Sequence, residues 1–187
     1  MRKAAFLIKP LPISFRERFF FARIQVLIMQ PSFNNWYNSK MYATPHLAEE
    51  TRWVASFLED ANSVVVVGIS RKPTKDSYYV GRYLQRAGYQ IVPVNPTADA
   101  ILGEKAYPDI RSINKNVDVV DIFLRPEFIP EAVEQALELN PRCIWLQLGT
   151  GSHPELESLI EEAGAKLIQN RCIKVDHQFL IRDKRNG

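Results

Sequence analysis

The sequence predicts an α/β protein: one domain built on an open parallel sheet of five strands, with helices on both faces. Two observations carry this. Five short apolar runs, 64–67, 91–94, 117–123, 143–148 and 166–168, are rich in β-branched residues and mostly continuous rather than alternating. Strands buried on both faces read this way. Between the runs lie stretches with helical spacing, so strand and helix alternate, and right-handed crossovers then cover both faces of the sheet.

The elements follow in order. "TPHLAEETRWVASFLEDA" reads as a leading helix, with Thr44 suited to cap it, Pro45 in its first turn, and Leu47, Thr51, Val54 and Leu58 on one face. The first strand, 64–67, ends at Gly68, and the next helix begins near Asp76 or Ser77. Val80, Tyr83, Leu84 and Ala87 give that helix its i, i+3, i+4, i+7 stripe, and Gly88 ends it. Gly81 on the same helix suits close helix–strand packing. After the second strand, "TADAILGEKAYPDIRSINKN" predicts a short helical or irregular connection. Ala132, Val133, Ala136 and Leu137 mark a helix opened by Pro130, and Leu156, Leu159, Ile160 and Ala163 mark one opened by Pro154 and closed by Gly164. The whole is a single Rossmann-like domain over residues 41–180, followed by a polar tail, 181–187.

Residues 1–40 are read apart from it. They hold seven basic residues and one acid, whereas the other 147 hold 17 basic and 20 acidic residues. The basic balance of the chain therefore belongs to the leader, and a nucleic-acid partner is not expected on that ground. The apolar run "FFFARIQVLIM" is short and interrupted by Arg23; a membrane span needs about 20 apolar residues. The leader reads as an extension outside the fold, with translation starting at Met1, Met29 or Met41, or alternatively as a mitochondrial presequence. The two cysteines, Cys143 and Cys172, have no metal or disulfide spacing, which fits reduced thiols in a cytoplasmic protein. No carboxylate or histidine cluster points to a metal.

Ligands of such sheets bind at the carboxyl ends of the strands. After the first strand comes "GISRKPTKDSYY". Gly68 permits a tight turn, and the following helix N-terminus favours an anion. Arg71, Lys72 and Lys75 add positive charge, so the loop suits a polyphosphate ligand. The loop lacks the three glycines of the G-x-G-x-x-G dinucleotide pattern. The second strand ends in "PVNP", without the acid that would hold an NAD ribose. Asn95 there forms a polar turn able to face an adenosine group, or serves turn chemistry alone. After the third strand, Pro126 and Pro130 push the residues before them out of the helical region, and Phe123, Arg125 and Ile129 are placed along a pocket wall. Gln147, at the end of a buried strand, needs a partner, from a ligand or from backbone. Trp145 is read as core. Cys172 and His177 invite a thiolate–imidazole dyad, but nothing in the sequence lowers the thiol pKa.

"VVVVGISRKPTKDSYYVGRYLQRAGYQIVPVNP", "ILGEKAYPDI", "VDVVDIFLRPEFIPE", "IWLQLG" and "NRCIKVDH" together resemble the stand-alone CoA-binding domain proteins. These are similar to the N-terminal domain of the succinyl-CoA synthetase α subunit. The resemblance covers about residues 50–178, with every segment in order. It implies a Rossmann-like fold that binds coenzyme A or an acyl-CoA. It places ligand contacts on Gly68, Ser70, Pro73, Lys75, Ser77 and Tyr78, with Arg71 added by the charge of the loop. Further contacts fall on Val94, Asn95 and Pro96, on Phe123 and Arg125, and around Gln147. The ligase's second domain, with its phosphorylated histidine, has no counterpart here, so His177 does not take that role. The expected function is a non-catalytic CoA-binding module, regulatory or a carrier, with a nucleotide ligand, no membrane, and a homodimer or unidentified protein as possible partner. The alternatives are an NAD(P)-dependent oxidoreductase, a small enzyme using Cys172, and a protein-interaction module.

Overall fold

A computed structural model describes residues 39–40 and 43–182, the side chain of Arg182 excepted. The expectations for the leader and for residues 183–187 lie outside the described residues. The chain divides into two units, Met1–Thr44 and Pro45–Gly187, and the fold is that of the second.

Helix α1 spans Pro45–Asp60 and leads into β1, Ser63–Val67. Then come α2 (Asp76–Arg86), β2 (Gln90–Val94) and the short strands β3 (Ala100–Ile101) and β4 (Glu104–Lys105). Strand β5 (Val119–Ile122) precedes α3 (Ile129–Leu137), β6 (Cys143–Leu146), α4 (Glu157–Glu162), β7 (Lys166–Gln169) and α5 (Ile173–His177). A π-helical turn, Gln178–Arg182, continues α5, and Ile181 within it is buried, so packing runs one residue past the predicted boundary.

The five strands pair in the order β2-β1-β5-β6-β7, all parallel, as predicted. From β1 the chain crosses outward to β2; from β5 it runs the other way to β6 and β7. The order thus reverses between β1 and β5, which opens a crevice there at the C-terminal end of the sheet. Strand alternation then divides the interior. Val65, Val67, Val92, Val94, Val120, Ile122, Ile144 and Leu146 point to one face and form a single core with Ala132, Val133 and Ala136 of α3 and Ile160 of α4. The alternate residues, Val64, Val66, Val119, Asp121, Cys143 and Trp145, are equally buried and point to the other face. Helices α1 and α2 each pack against α5 on that side. Each fully buried Val or Ile side chain contributes about 1.5–3 kcal/mol through apolar area removed from water, and both faces are filled with them.

Three local expectations are corrected. The connection after β2 is not helical. It contains the antiparallel hairpin β3–β4, turned by Leu102 and Gly103 at φ 59° and 82°. Two successive positive-φ residues are what a tight two-residue hairpin requires, and the leucine gave no sign of it. Tyr107 then bridges back to Val94 and extends the sheet beside β2. Second, Arg125 before Pro126 is extended, at φ −69° and ψ 151°, as its proline demands. Ile129 before Pro130, however, is helical, at φ −65° and ψ −47°. Pro130 sits at the start of α3, where its missing N–H is no loss, and the fully buried Ile129 side chain holds the first turn in place. Third, the strand expected over 117–123 is shorter, Val119–Ile122; just before it the Asp118 carboxylate accepts from the N–H groups of Asn62 and Ser63 at the start of β1.

Candidate functional site

The C-terminal end of the sheet gathers the loops after β1, β2, β5 and β6. The β1 loop turns at Gly68, whose φ is 79°. A Cβ there would stand 3.0 Å from the Phe123 carbonyl oxygen and 3.0 Å from Leu124 Cδ2. Only glycine gives both that backbone conformation and that close approach to the β5 loop. The Gly68 N–H donates to Val94 O (3.1 Å) and the Phe123 N–H to Val67 O (2.9 Å), so the three strand ends are tied across the crevice.

From Gly68 the loop runs to α2. The Ser70 N–H donates to Ser77 Oγ (3.0 Å), and the Lys72 N–H to Ser70 Oγ (3.1 Å). Ser77, buried in the first turn of α2, thereby fixes the loop against the helix. Lys75 stands at the cap position with an extended backbone and makes no side-chain capping bond. The helix N-terminus thus has no side-chain cap, and the one acidic residue of its first turn, Asp76, lies beside the basic loop. Arg71, Lys72, Pro73 and Lys75 are exposed around it, and Tyr78 is half-buried. Arg82 lies 5.8 Å from the Tyr78 ring centroid and adds a further cation on the same helix. Gly81 packs as expected: a Cβ there would lie 2.8 Å from Ile69 Cδ1.

The β2 loop is pinned by Asn95. Its Nδ2 donates to Ile69 O (2.7 Å), and its Oδ1 accepts from the Thr97 N–H (2.9 Å) and the Thr97 hydroxyl (3.0 Å). Both ends of the amide are used within the protein, so Asn95 joins the β1 and β2 loops and shapes its own turn. Val94 is buried and Pro96 exposed beside it. On the β5 loop Phe123 is half-buried, while Arg125 is exposed, pairs with Glu127 (3.1 Å) and lies 4.9 Å from the Phe128 ring centroid. A pair so exposed is weak and leaves the guanidinium able to turn toward a ligand. Ile129, placed on the pocket wall by sequence, is instead fully buried core.

Gln147 finds its partner inside the protein, and it is a side chain. Its Nε2 donates to Asp121 Oδ1 (2.9 Å). Asp121 and Gln147 are 0% and 1% exposed, and among the described residues Asp121 Oδ2 and Gln147 Oε1 have no hydrogen-bond partner. Burial pushes the Asp121 carboxyl well above the usual carboxylate range, against a smaller opposing pull from the Gln147 amide. Asp118, three residues earlier on the chain, has the opposite fate. Burial alone would raise it, but the N–H groups of Asn62 (2.9 Å) and Ser63 (3.0 Å), the Ser63 hydroxyl and Arg142 outweigh that and lower it. Asp118 is thus an ionised clamp at the N-terminal end of the sheet, and Asp121 a neutral acid near the C-terminal end.

Asp121 was not singled out from the sequence. Its signal was an acid inside an apolar strand of a sheet covered on both faces, matched by an equally misplaced glutamine on the next strand. His153 stands at the cap position of the turn that leads into α4. Its Nε2 faces Thr150 O (2.9 Å) and its Nδ1 faces Glu155 Oε1 (3.0 Å), which braces the β6 loop. That loop meets the β5 loop at Gly151, where a Cβ would be 3.4 Å from Pro126 Cβ.

Cys172 and His177 form no dyad. Burial pushes the Cys172 thiol up to about 12, and His177 Nδ1 shares a hydrogen bond with the Tyr83 hydroxyl (2.9 Å). Trp145 is core, its indole N–H donating to Arg171 O (2.8 Å). Among the described residues no group of three or more His, Cys, Asp or Glu is arranged to hold a metal ion. No helix among them is long and apolar enough to cross a membrane.

The doubly wound parallel sheet, with a cationic loop and a helix N-terminus at its switch point, defines a Rossmann-like α/β protein. The chain belongs to the CoA binding domain family, whose model matches residues 62–178. It is 36% identical over 124 residues to "Uncharacterized protein YneT" of Bacillus subtilis (strain 168), covering 66% of this chain and 91% of that one. It is also 36% identical over 78 residues to the ADP-forming acetate–CoA ligase II of Archaeoglobus fulgidus, covering 41% of this chain and 12% of the ligase. Among solved structures, a hypothetical protein from Pyrococcus horikoshii OT3 matches with a TM-score of 0.66 and 34% identity, covering 70% of this chain and 92% of that one.

Proposed function

We propose that the chain binds coenzyme A or an acyl-CoA across the C-terminal ends of β1, β2 and β5, as a binding module without catalysis of its own. The observation that carries the reading is the uncapped α2 N-terminus, ringed by the exposed Arg71, Lys72 and Lys75, directly beside the β1–β5 switch point. A pyrophosphate and a ribose phosphate ask for that combination of helix N–H groups and mobile cations. Gly68, Ser70, Pro73, Ser77 and Tyr78 then shape the loop against the ligand, Val94, Asn95 and Pro96 the nucleoside side, and Phe123 and Arg125 the β5 side. Gln147 supports the floor of the site through Asp121. Cys143 and Cys172 are free and buried, which suits a reducing compartment such as the cytoplasm.

Titration calorimetry with CoA, dephospho-CoA, NADH and NADPH tests the reading. Micromolar binding of CoA, weakened about five-fold by Lys75→Ala through loss of one phosphate contact, is expected. A folded protein that ignores millimolar CoA overturns the reading, and preference for NADPH over CoA replaces it with the dinucleotide alternative.

A further inference from the structure

A cation of a different kind lies behind the α2 N-terminus. Lys174, the second residue of α5, is 3% exposed. Its ammonium stands 4.7 Å from the Tyr79 ring centroid and 5.6 Å from that of Tyr83, two rings from successive turns of α2. Among the described residues it has neither an ion pair nor a hydrogen bond. Two aromatic faces offset part of the cost of burying a lysine, whereas stripping an ion of water costs more than they return. The balance is visible in the group itself: burial holds its pKa below the ordinary lysine value. This largely buried ammonium has no negative partner among the described residues.

The position of Lys174 indicates where that partner comes from. α5 starts four residues after the end of β7, so Lys174 lies at the same end of the sheet as the β1 loop. Tyr79 directly follows Tyr78, one of the residues assigned to the nucleotide. We propose that Lys174, walled by Tyr79 and Tyr83, is a carboxylate subsite beside the nucleotide site, taking acyl groups that end in a free carboxylate. The inference rests on the coenzyme A reading and adds the class of acyl group. The phosphates already have the exposed cations Arg71, Lys72 and Lys75. A single desolvated positive charge is balanced by a monoanion, whereas a phosphate dianion would leave one negative charge buried and unpaired. The flat tyrosine faces also suit a thin aliphatic chain leading to the carboxylate.

The test is calorimetry with CoA, acetyl-CoA, malonyl-CoA and glutaryl-CoA on the wild type and on Lys174→Met, with circular dichroism to confirm folding. The expected result is that the wild type prefers at least one carboxylate-bearing ligand to acetyl-CoA by about ten-fold, as a charge-assisted hydrogen bond provides. Lys174→Met then abolishes that preference and leaves CoA and acetyl-CoA binding within about two-fold, since no charge-assisted bond to them is lost. Equal wild-type affinities for acetyl-CoA and both carboxylate-bearing ligands overturn the proposal, and they do so even if the variant fails to fold. Uniform weakening of all four ligands by Lys174→Met also overturns it and assigns the lysine to the phosphates. If CoA itself does not bind the folded wild type, it is the coenzyme A reading that falls, and the subsite with it.

Discussion

Replacing Asp121 with asparagine keeps the shape of the buried side chain and removes its titration. The Gln147 amide donates to Asp121 Oδ1, and an asparagine carbonyl accepts the same bond. What changes is the proton. Burial raises the carboxyl well above its ordinary value of 3.8, so the native protein holds a proton on Asp121 where the unfolded chain has released it. With more protons bound in the native state than in the unfolded one, stability falls as pH rises. The loss begins near the ordinary carboxylate value and continues up to the raised value in the fold. Within that window each pH unit costs the wild type up to a factor of ten in its folding equilibrium. Asp121→Asn carries none of this cost.

Urea unfolding of both proteins at pH 5, 6 and 7 reads the effect, because every other titrating group, including the ionised Asp118, is common to the two. The stability of Asp121→Asn relative to wild type should rise with pH above the ordinary carboxylate value, because only the wild type must release that proton. A difference that stays constant over the same range would mean that Asp121 ionises in the fold as it does in the unfolded chain. The account of a neutral acid beneath the site would then be wrong.

Two further outcomes follow from the same geometry. Gly68→Ala must adopt a φ of 79° and bring its Cβ within 3.0 Å of the Phe123 carbonyl; positive-φ strain and the clash together should cost about 2–4 kcal/mol, measured by thermal unfolding, and an unchanged Tm would show that the loop does not pass so close. With its pKa near 12 and its thiol buried, Cys172 should resist iodoacetamide at pH 8, where on the order of one thiol in ten thousand is ionised. It should react only after unfolding, and fast labelling of the native protein would restore the case for a reactive thiolate.

The legible part of the molecule was what local pattern controls. Continuous β-branched runs fixed which segments are strands, and prolines and glycines at their ends bounded the helices, so the parallel sheet and the end of it that carries the site were accessible from the chain alone. The hairpin at Leu102–Gly103 was not, because leucine at positive φ has no sequence signature and is held there by the tertiary structure. Ile129 escaped its proline for a related reason: burial of its side chain outweighed a local backbone bias. In the site, the loop residues Gly68, Lys75 and Ser77 were readable because helix start and charge are local properties. The roles of Asn95 and Gln147 were not. Asn95 proved to clamp two loops together and Gln147 to pair with an acid on the neighbouring strand, and both partners lie about 26 residues away.

The departures from local consistency do not scatter. Asp121 in an apolar strand, Gln147 behind it, Lys174 under two tyrosine rings, and Gly68 pressed on a carbonyl all lie toward one end of the sheet. Asp118, the charged residue at the other end, is by contrast satisfied by two backbone N–H groups, a hydroxyl and an arginine. A sheet whose N-terminal end is electrostatically closed, and whose C-terminal end carries a buried acid, a largely buried ammonium and an uncapped helix, has concentrated its costs where a ligand can repay them. That asymmetry is a physical reason, independent of family resemblance, to seek the ligand there. It also separates two kinds of residue that sequence treats alike. Arg71, Lys72 and Lys75 are solvated and meet an anion by reaching for it, which limits each to a modest, salt-sensitive contribution. Lys174 is largely buried and held between two tyrosine rings, so under the proposed reading its contribution is specificity among ligands rather than attraction to them.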